Sequence, residues 1–130
     1  MSFEARIPGN VFCLPGDLVA FTAGADITKG QLVKITGAMT VSPATASTDA
    51  VIGVAVTSAK AGGKVTVAMG CPVVYVTAGG AVTVGSVVCS DAQGRAVAVS
   101  TAGDRALGIA LEPASAAGDV ILVAVNPHIY

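Results

Sequence analysis

Short apolar runs rich in valine recur along this chain, separated by turns of Gly, Pro, Asp, Ser and Thr. Leu18–Thr22 follows a Pro15-Gly16-Asp17 turn and reads as a strand. A Thr28-Lys29-Gly30 turn leads into Gln31–Ile35. After a turn at Gly37 comes a weaker strand over Met39–Ser42. Val51–Val56 is a continuous apolar run, the pattern of a strand buried on both faces. Gly53 at its centre predicts a bulge or a close backbone approach. A small-residue turn at Ala59–Gly63 then precedes Lys64–Ala68. The second half repeats this script through Ser86–Cys89, Arg95–Ser100, Ala106–Leu111 and Asp119–Val123. No segment carries a sustained helical stripe; Pro113–Ala117 has room for one helical turn. Turn signals every 8–12 residues or so are the spacing of an all-β sandwich or barrel. The predicted fold is therefore all-β, a compact barrel or sandwich.

The repetition is explicit. Shifted by 55 positions without a gap, 27–75 lies on 82–130 with 12 identities in 49 pairs, among them Gly30/Gly85, Asp49/Asp104, Gly53/Gly108, Gly63/Gly118, Val65/Val120 and Pro72/Pro127. Such self-similarity predicts two copies of one β unit, and the Asp49/Asp104 pair reads as a shared loop device. The predicted organisation is an N-terminal arm or edge strand over 1–16 and one β domain over 17–130, with units 27–75 and 82–130. Pro8-Gly9 and Pro15-Gly16 bracket the apolar piece Val11–Leu14. Two readings stand for it: an edge strand on its own body, or an arm contacting a neighbouring subunit through Phe3, Arg6, Ile7, Val11 and Phe12. Individual function is expected where the copies differ, in the arm, at Cys71 and Cys89, and in the bridge 76–81.

Composition changes the picture in one respect. The chain is 53% hydrophobic but 4% aromatic and 12% charged, so its core is fine-grained and its surface sparsely charged. Soluble domains carry about a quarter charged residues, so part of this apolar surface is expected to be buried against other subunits. Seven basic residues face eight acidic ones, with no basic run to neutralise phosphates, which argues against direct nucleic-acid binding. The longest uninterrupted apolar stretch, Val120–Val125, is too short to span a bilayer, and Met1–Arg6 is no secretory signal, so no membrane partner is expected.

Candidate chemistry is sparse. The one histidine, His128, has Asp119 as its nearest carboxylate in sequence and reads as a surface residue. The carboxylates fall mostly in turns, where Asp bonds its own backbone. No phosphate-binding glycine motif, calcium-loop spacing or Cys-x-x-Cys pair occurs, so neither cofactor nor metal is expected, and no nucleophile–base pair marks an enzyme. Val67-Ala68-Met69-Gly70 resembles the loop of biotinyl and lipoyl carrier domains, but Gly70 stands where the modified lysine belongs. Cys13, Cys71 and Cys89 are either buried small hydrophobes or, their number being odd, sources of an inter-subunit disulfide.

Several blocks resemble one known family: Pro15–Ala23, Ile27–Val33, Ile52–Ala55, Ala59–Val67 with Gly70 and Pro72-Val73, and Ala106–Ala110. The chain is similar there, from about Leu14 onward, to the capsid cement or head decoration proteins of tailed bacteriophages. The resemblance implies a structural β protein made in the host bacterial cytoplasm and then bound to the outer surface of the virion head. It implies a homotrimer that clamps neighbouring major capsid protein subunits. Alternatives are another virion or surface module (tail, spike or adhesion), or a small β carrier domain.

Overall fold

The computed structural model describes residues 11–13, 17–69 and 73–129, with side chains from Leu18 onward. Among these residues the structure is all-β, with eleven strands and no helix. The strands are β1 (Val11–Cys13), β2 (Asp17–Ala23), β3 (Leu32–Gly37), β4 (Thr40–Pro43), β5 (Val51–Ala55), β6 (Lys64–Met69), β7 (Val73–Thr77), β8 (Val87–Ser90), β9 (Ala96–Ala98), β10 (Arg105–Ala110) and β11 (Val120–Ile129). Pro113–Ala117 forms no helical turn: Ala114 bridges Val82, and bends and a turn follow it.

The strands β2-β4-β3-β5-β6 close into a barrel, and β1-β7-β11-β10-β8-β9 form a six-stranded sheet. The same connectivity underlies both. Val33 pairs with Pro43 and Gly53, as Val88 pairs with Ala98 and Gly108. Ile27 bridges Ala59, as Val82 bridges Ala114. The β2 to β6 series thus recurs as β7 to β11. In the barrel, closure is a parallel pairing of Thr22 with Thr40 and Ala23 with Val41. In the second unit it shrinks to one parallel bridge, Ala78 with Ala96, supported by the Gly79 N–H donating to the Ala96 carbonyl at 2.8 Å. The edge of β7 upstream of that bridge is taken by β1, through Val11/Val74 and Cys13/Val73.

Two features of the repeat differ from the sequence expectation. β7 is a strand in its own right and opens the second unit, so the topological junction lies between β6 and β7, upstream of the sequence boundary at 75–82. The copies are also not gapless. The Gly62 N–H donates to the Ala23 carbonyl and the Gly118 N–H to the Ala78 carbonyl, so the offset becomes 56 after the Ala59/Ala114 bridge. Gly62 and Gly118 also share a left-handed backbone, with φ of 87° and 96°. The second turn holds one extra residue, and Gly63/Gly118 and Val65/Val120 are coincidences of composition.

Strand alternation divides the side chains into layers. Val33, Ala55 and Val67 point into the barrel, with Phe21, Val41 and Val65, to form the first core. Their counterparts Val88, Ala110 and Val123, with Val76, Ala96 and Ile121, fill the second. Burying a Val or Ile side chain stabilises the fold by about 1.5–3 kcal/mol, so many small residues replace the few large ones this chain lacks. Gly53 and Gly108 lie where β5 and β10 press on their partners: a Cβ at Gly53 would collide with the Ala68 carbonyl, and one at Gly108 with the Ala124 carbonyl. The predicted close approach is present in both copies, and a register shift accompanies each glycine, between Val33 and Lys34 opposite β5 in the first and between Ala106 and Gly108 in the second.

Candidate interaction surface

The outward-facing residues between those core positions behave differently in the two units. On the barrel, Leu32, Val54 and Ala68 stand side by side across β3, β5 and β6, each completely buried. They are covered because this outer wall packs into the second core, in one continuous cluster with residues such as Val74, Leu107 and Val125. β5 is thus buried on both faces, as its continuous apolar run predicts. β10 is not: Ile109 is 45% exposed, as is Leu111 just beyond the strand. Wall positions Val87, Ile109 and Ala124 repeat Leu32, Val54 and Ala68 in register, and nothing among the described residues covers Ile109.

Polar contacts fix the two units against each other. The Leu32 N–H donates to the Gly94 carbonyl at 2.9 Å, and the Gln31 amide to the Gln93 carbonyl at 3.0 Å. A Cβ at Gly94 would lie 3.2 Å from the Leu32 carbonyl oxygen, so this turn fits backbone to backbone. The Ser47 hydroxyl donates to Asp104 at 2.8 Å, and the Arg105 N–H to the Ser47 carbonyl at 2.8 Å. Asp104 is 5% exposed, so this partner matters: a buried carboxylate without a donor is costly.

The carboxylates do serve turns, but the twin of Asp49 is not Asp104. The backbone turns match, the Asp49 N–H donating to the Ala46 carbonyl and the Asp104 N–H to the Thr101 carbonyl. The side chains do not. One Asp49 oxygen accepts from the Thr45 N–H and hydroxyl and the Ala46 N–H, and pairs with Lys34 at 3.0 Å. Asp119 repeats that clip with the Ser115 N–H and hydroxyl and the Ala116 N–H. Partial burial pushes the Asp49 carboxyl up, but the Thr45 N–H and the Lys34 ammonium outweigh it, and its pKa falls below the ordinary value. The Ser115 N–H and hydroxyl likewise lower Asp119, and the Ala61 N–H followed by the Lys60 charge lowers Asp26.

The remaining candidates fall apart in space. His128 lies on β11, and its Nδ1 is 2.7 Å from the Asn126 carbonyl oxygen. Cys89 is a free thiol on β8, 2% exposed, and burial, with the nearby Asp104 and Asp91 charges, pushes its pKa up to about 11. The backbone of Cys13 lies in β1; Cys71, Phe3, Arg6 and Ile7 lie outside the described residues. Val11 and Phe12 belong to β1, whose ladder partner is this chain's own β7. No group of three or more His, Cys, Asp or Glu among the described residues could hold a metal ion. Exposed apolar side chains are the conspicuous surface chemistry instead: Leu18, Ile35, Met39, Val84, Ile109, Leu111 and Ile129 are each more than 40% exposed.

A duplicated all-β body with one buried wall and a sparsely charged, partly apolar exterior defines a structural protein that works through surfaces. Residues 14–125 match the phage cement proteins, and the chain belongs to that family, whose members are structural proteins of the phage head. No curated protein matches the sequence. Among solved structures, the base of the head fibre protein gp8.5 of bacteriophage phi29 is similar in fold, with a TM-score of 0.69 and 22% identity over 85% of this chain and 93% of that one.

Proposed function

We propose that this protein seats on the outer surface of a bacteriophage head and clamps neighbouring major capsid subunits, acting as a homotrimer. The observation that carries this reading is the family match, which spans nearly the whole β body. The exposed apolar side chains and the scarcity of charge support it, since a clamp gains most from apolar area removed from water. Many modest interfaces repeated over one shell add through avidity. In this reading the protein is made in the host cytoplasm, works by binding without catalysis or cofactor, and touches neither nucleic acid nor membrane. The likeness to a head-fibre base favours a second reading, in which the same domain anchors a projecting element.

The terminal segment supplies finer contacts in this proposal. Phe3, Arg6 and Ile7 reach a neighbouring subunit from the anchor of Val11 and Phe12 on this chain's β7, and Cys13 or Cys71 forms an inter-subunit disulfide once the particle meets an oxidising environment. Cys89 is a poor partner, because a buried, high-pKa thiol exchanges slowly. Electrophoresis with and without reductant tests the disulfide; a monomer band in both lanes rejects it.

The central test is co-sedimentation with undecorated heads of the source phage. Saturating binding at a fixed ratio to capsid subunits, with heads that resist heat better afterwards, is the expected result. Protein that stays in the supernatant at every concentration rejects the reading.

A further inference from the structure

The two units fill their interiors with the same positions, but not equally well. Val74, Leu107 and Val125 in the second unit are 0%, 0% and 1% exposed. Their counterparts in the first, Val19, Ile52 and Met69, are only partly buried at the margin of the barrel core. The difference has a visible cause. The second core continues into the wall Leu32–Val54–Ala68 of the first barrel, whereas no described element lies in the corresponding place against the barrel itself. The second unit, for its part, carries the matching wall, Val87–Ile109–Ala124, with Ile109 open to solvent and Leu111 beside it.

Among the described residues, one complete wall-to-core interface therefore lies inside the chain, and each unit presents one unmatched half of it. We propose that a second copy of this chain supplies the match: the wall Val87–Ile109–Ala124 of one copy packs over Val19, Ile52 and Met69 of the next. The occupant is argued from the molecule's own interface, which shows this pairing of wall and core in the same fold.

The turns support the same docking direction. The Gln93-Gly94 turn seats against Leu32, and the Ala38-Met39 turn is its counterpart in the first unit. Met39 has a left-handed backbone (φ 48°) like Gly94 (φ 71°), and its side chain is 55% exposed. In the intermolecular contact that turn lies against Val87, and the Met39 side chain adds apolar area where Gly94 offers a close backbone fit. Such an interface is heterologous, so it closes into a ring or propagates as a chain of subunits. A three-membered ring is the closure compatible with the proposed trimer, but the contact does not require that the partner surface be a capsid.

Sedimentation velocity over a micromolar concentration series tests it, with circular dichroism confirming that each variant is folded. The wild type is expected to self-associate. Ile109→Asp on the wall, with Leu111→Asp as a second wall variant, and Met39→Asp beside the open end are each expected to weaken association by more than about tenfold. A heterologous contact makes a further demand. An equimolar mixture of Ile109→Asp and Met39→Asp retains one intact wall and one intact end, so it is expected to form dimers that neither variant forms alone. A monomeric wild type, folded wall variants that associate normally, or a mixture that stays monomeric each overturns the proposal. Head binding by a monomeric wild type would overturn this contact while leaving the cement function standing.

Discussion

At Gly53 and Gly108 a missing methyl group sets how closely β5 and β10 approach their neighbours, and a Cβ at either would run into a backbone carbonyl. Backbone cannot swing aside as a flexible side chain does, so Gly53→Ala and Gly108→Ala are each expected to cost about 3 kcal/mol, read from urea unfolding midpoints. Polar residues act through the same local economy. Asp26, Asp49 and Asp119 are held below the ordinary carboxylate pKa of 3.8 in the folded chain. As pH falls toward and below 3.8 the unfolded chain takes up protons first, so stability present above that range is lost on acidification. Unfolding midpoints measured from pH 6 down to about pH 3 should fall, and Asp49→Ala, lower at pH 6 by about 1–2 kcal/mol, should fall less steeply. Cys89 gives a residue-scale readout of the second core. With a pKa of about 11 and 2% exposure, it should resist alkylation at pH 8 until denaturant opens that core.

At the scale of elements, most strands are legible in the sequence because valine-rich runs of five or six residues between Gly, Pro and Asp turns have few other solutions. β7 is the instructive miss. Val73–Thr77 is as apolar as β5, but the repeat as aligned makes its first residues the tail of one copy, hiding that it plays the part of β2. The extra residue in the β10–β11 turn is hidden for a related reason: Ala, Gly and Val are so frequent that the wrong register still yields identities at Gly63/Gly118 and Val65/Val120. The wall contacts are illegible for a physical reason. Val54 and Ile109 look alike as sequence, and only packing decides that the first is sealed and the second exposed. The Ser47–Asp104 bond joins elements 57 residues apart and carries no local signal. Ser47→Ala should leave Asp104 without its side-chain donor and destabilise the chain by about 1–3 kcal/mol in urea melts.

For the whole molecule, surface chemistry separates an apolar clamp from an electrostatic one. With 12% charged residues and near-balanced signs, long-range attraction to a head is weak. Head binding is therefore expected to survive a rise in salt from about 0.1 to about 1 M, where the screening length shrinks from about 10 to about 3 Å. Detachment over that range, measured by co-sedimentation, would assign the attachment to ion pairs instead. The closed barrel, finally, has a core of its own, whereas the second core borrows a wall from it. The second core cannot close without that wall, whereas the barrel needs the second unit only to cover the wall's outer face, and the barrel half leaves the ribosome first. The N-terminal half can serve as a template on which its younger copy closes. A fragment ending at residue 72 should fold by itself, and one beginning at Val73 should remain molten until the first is added.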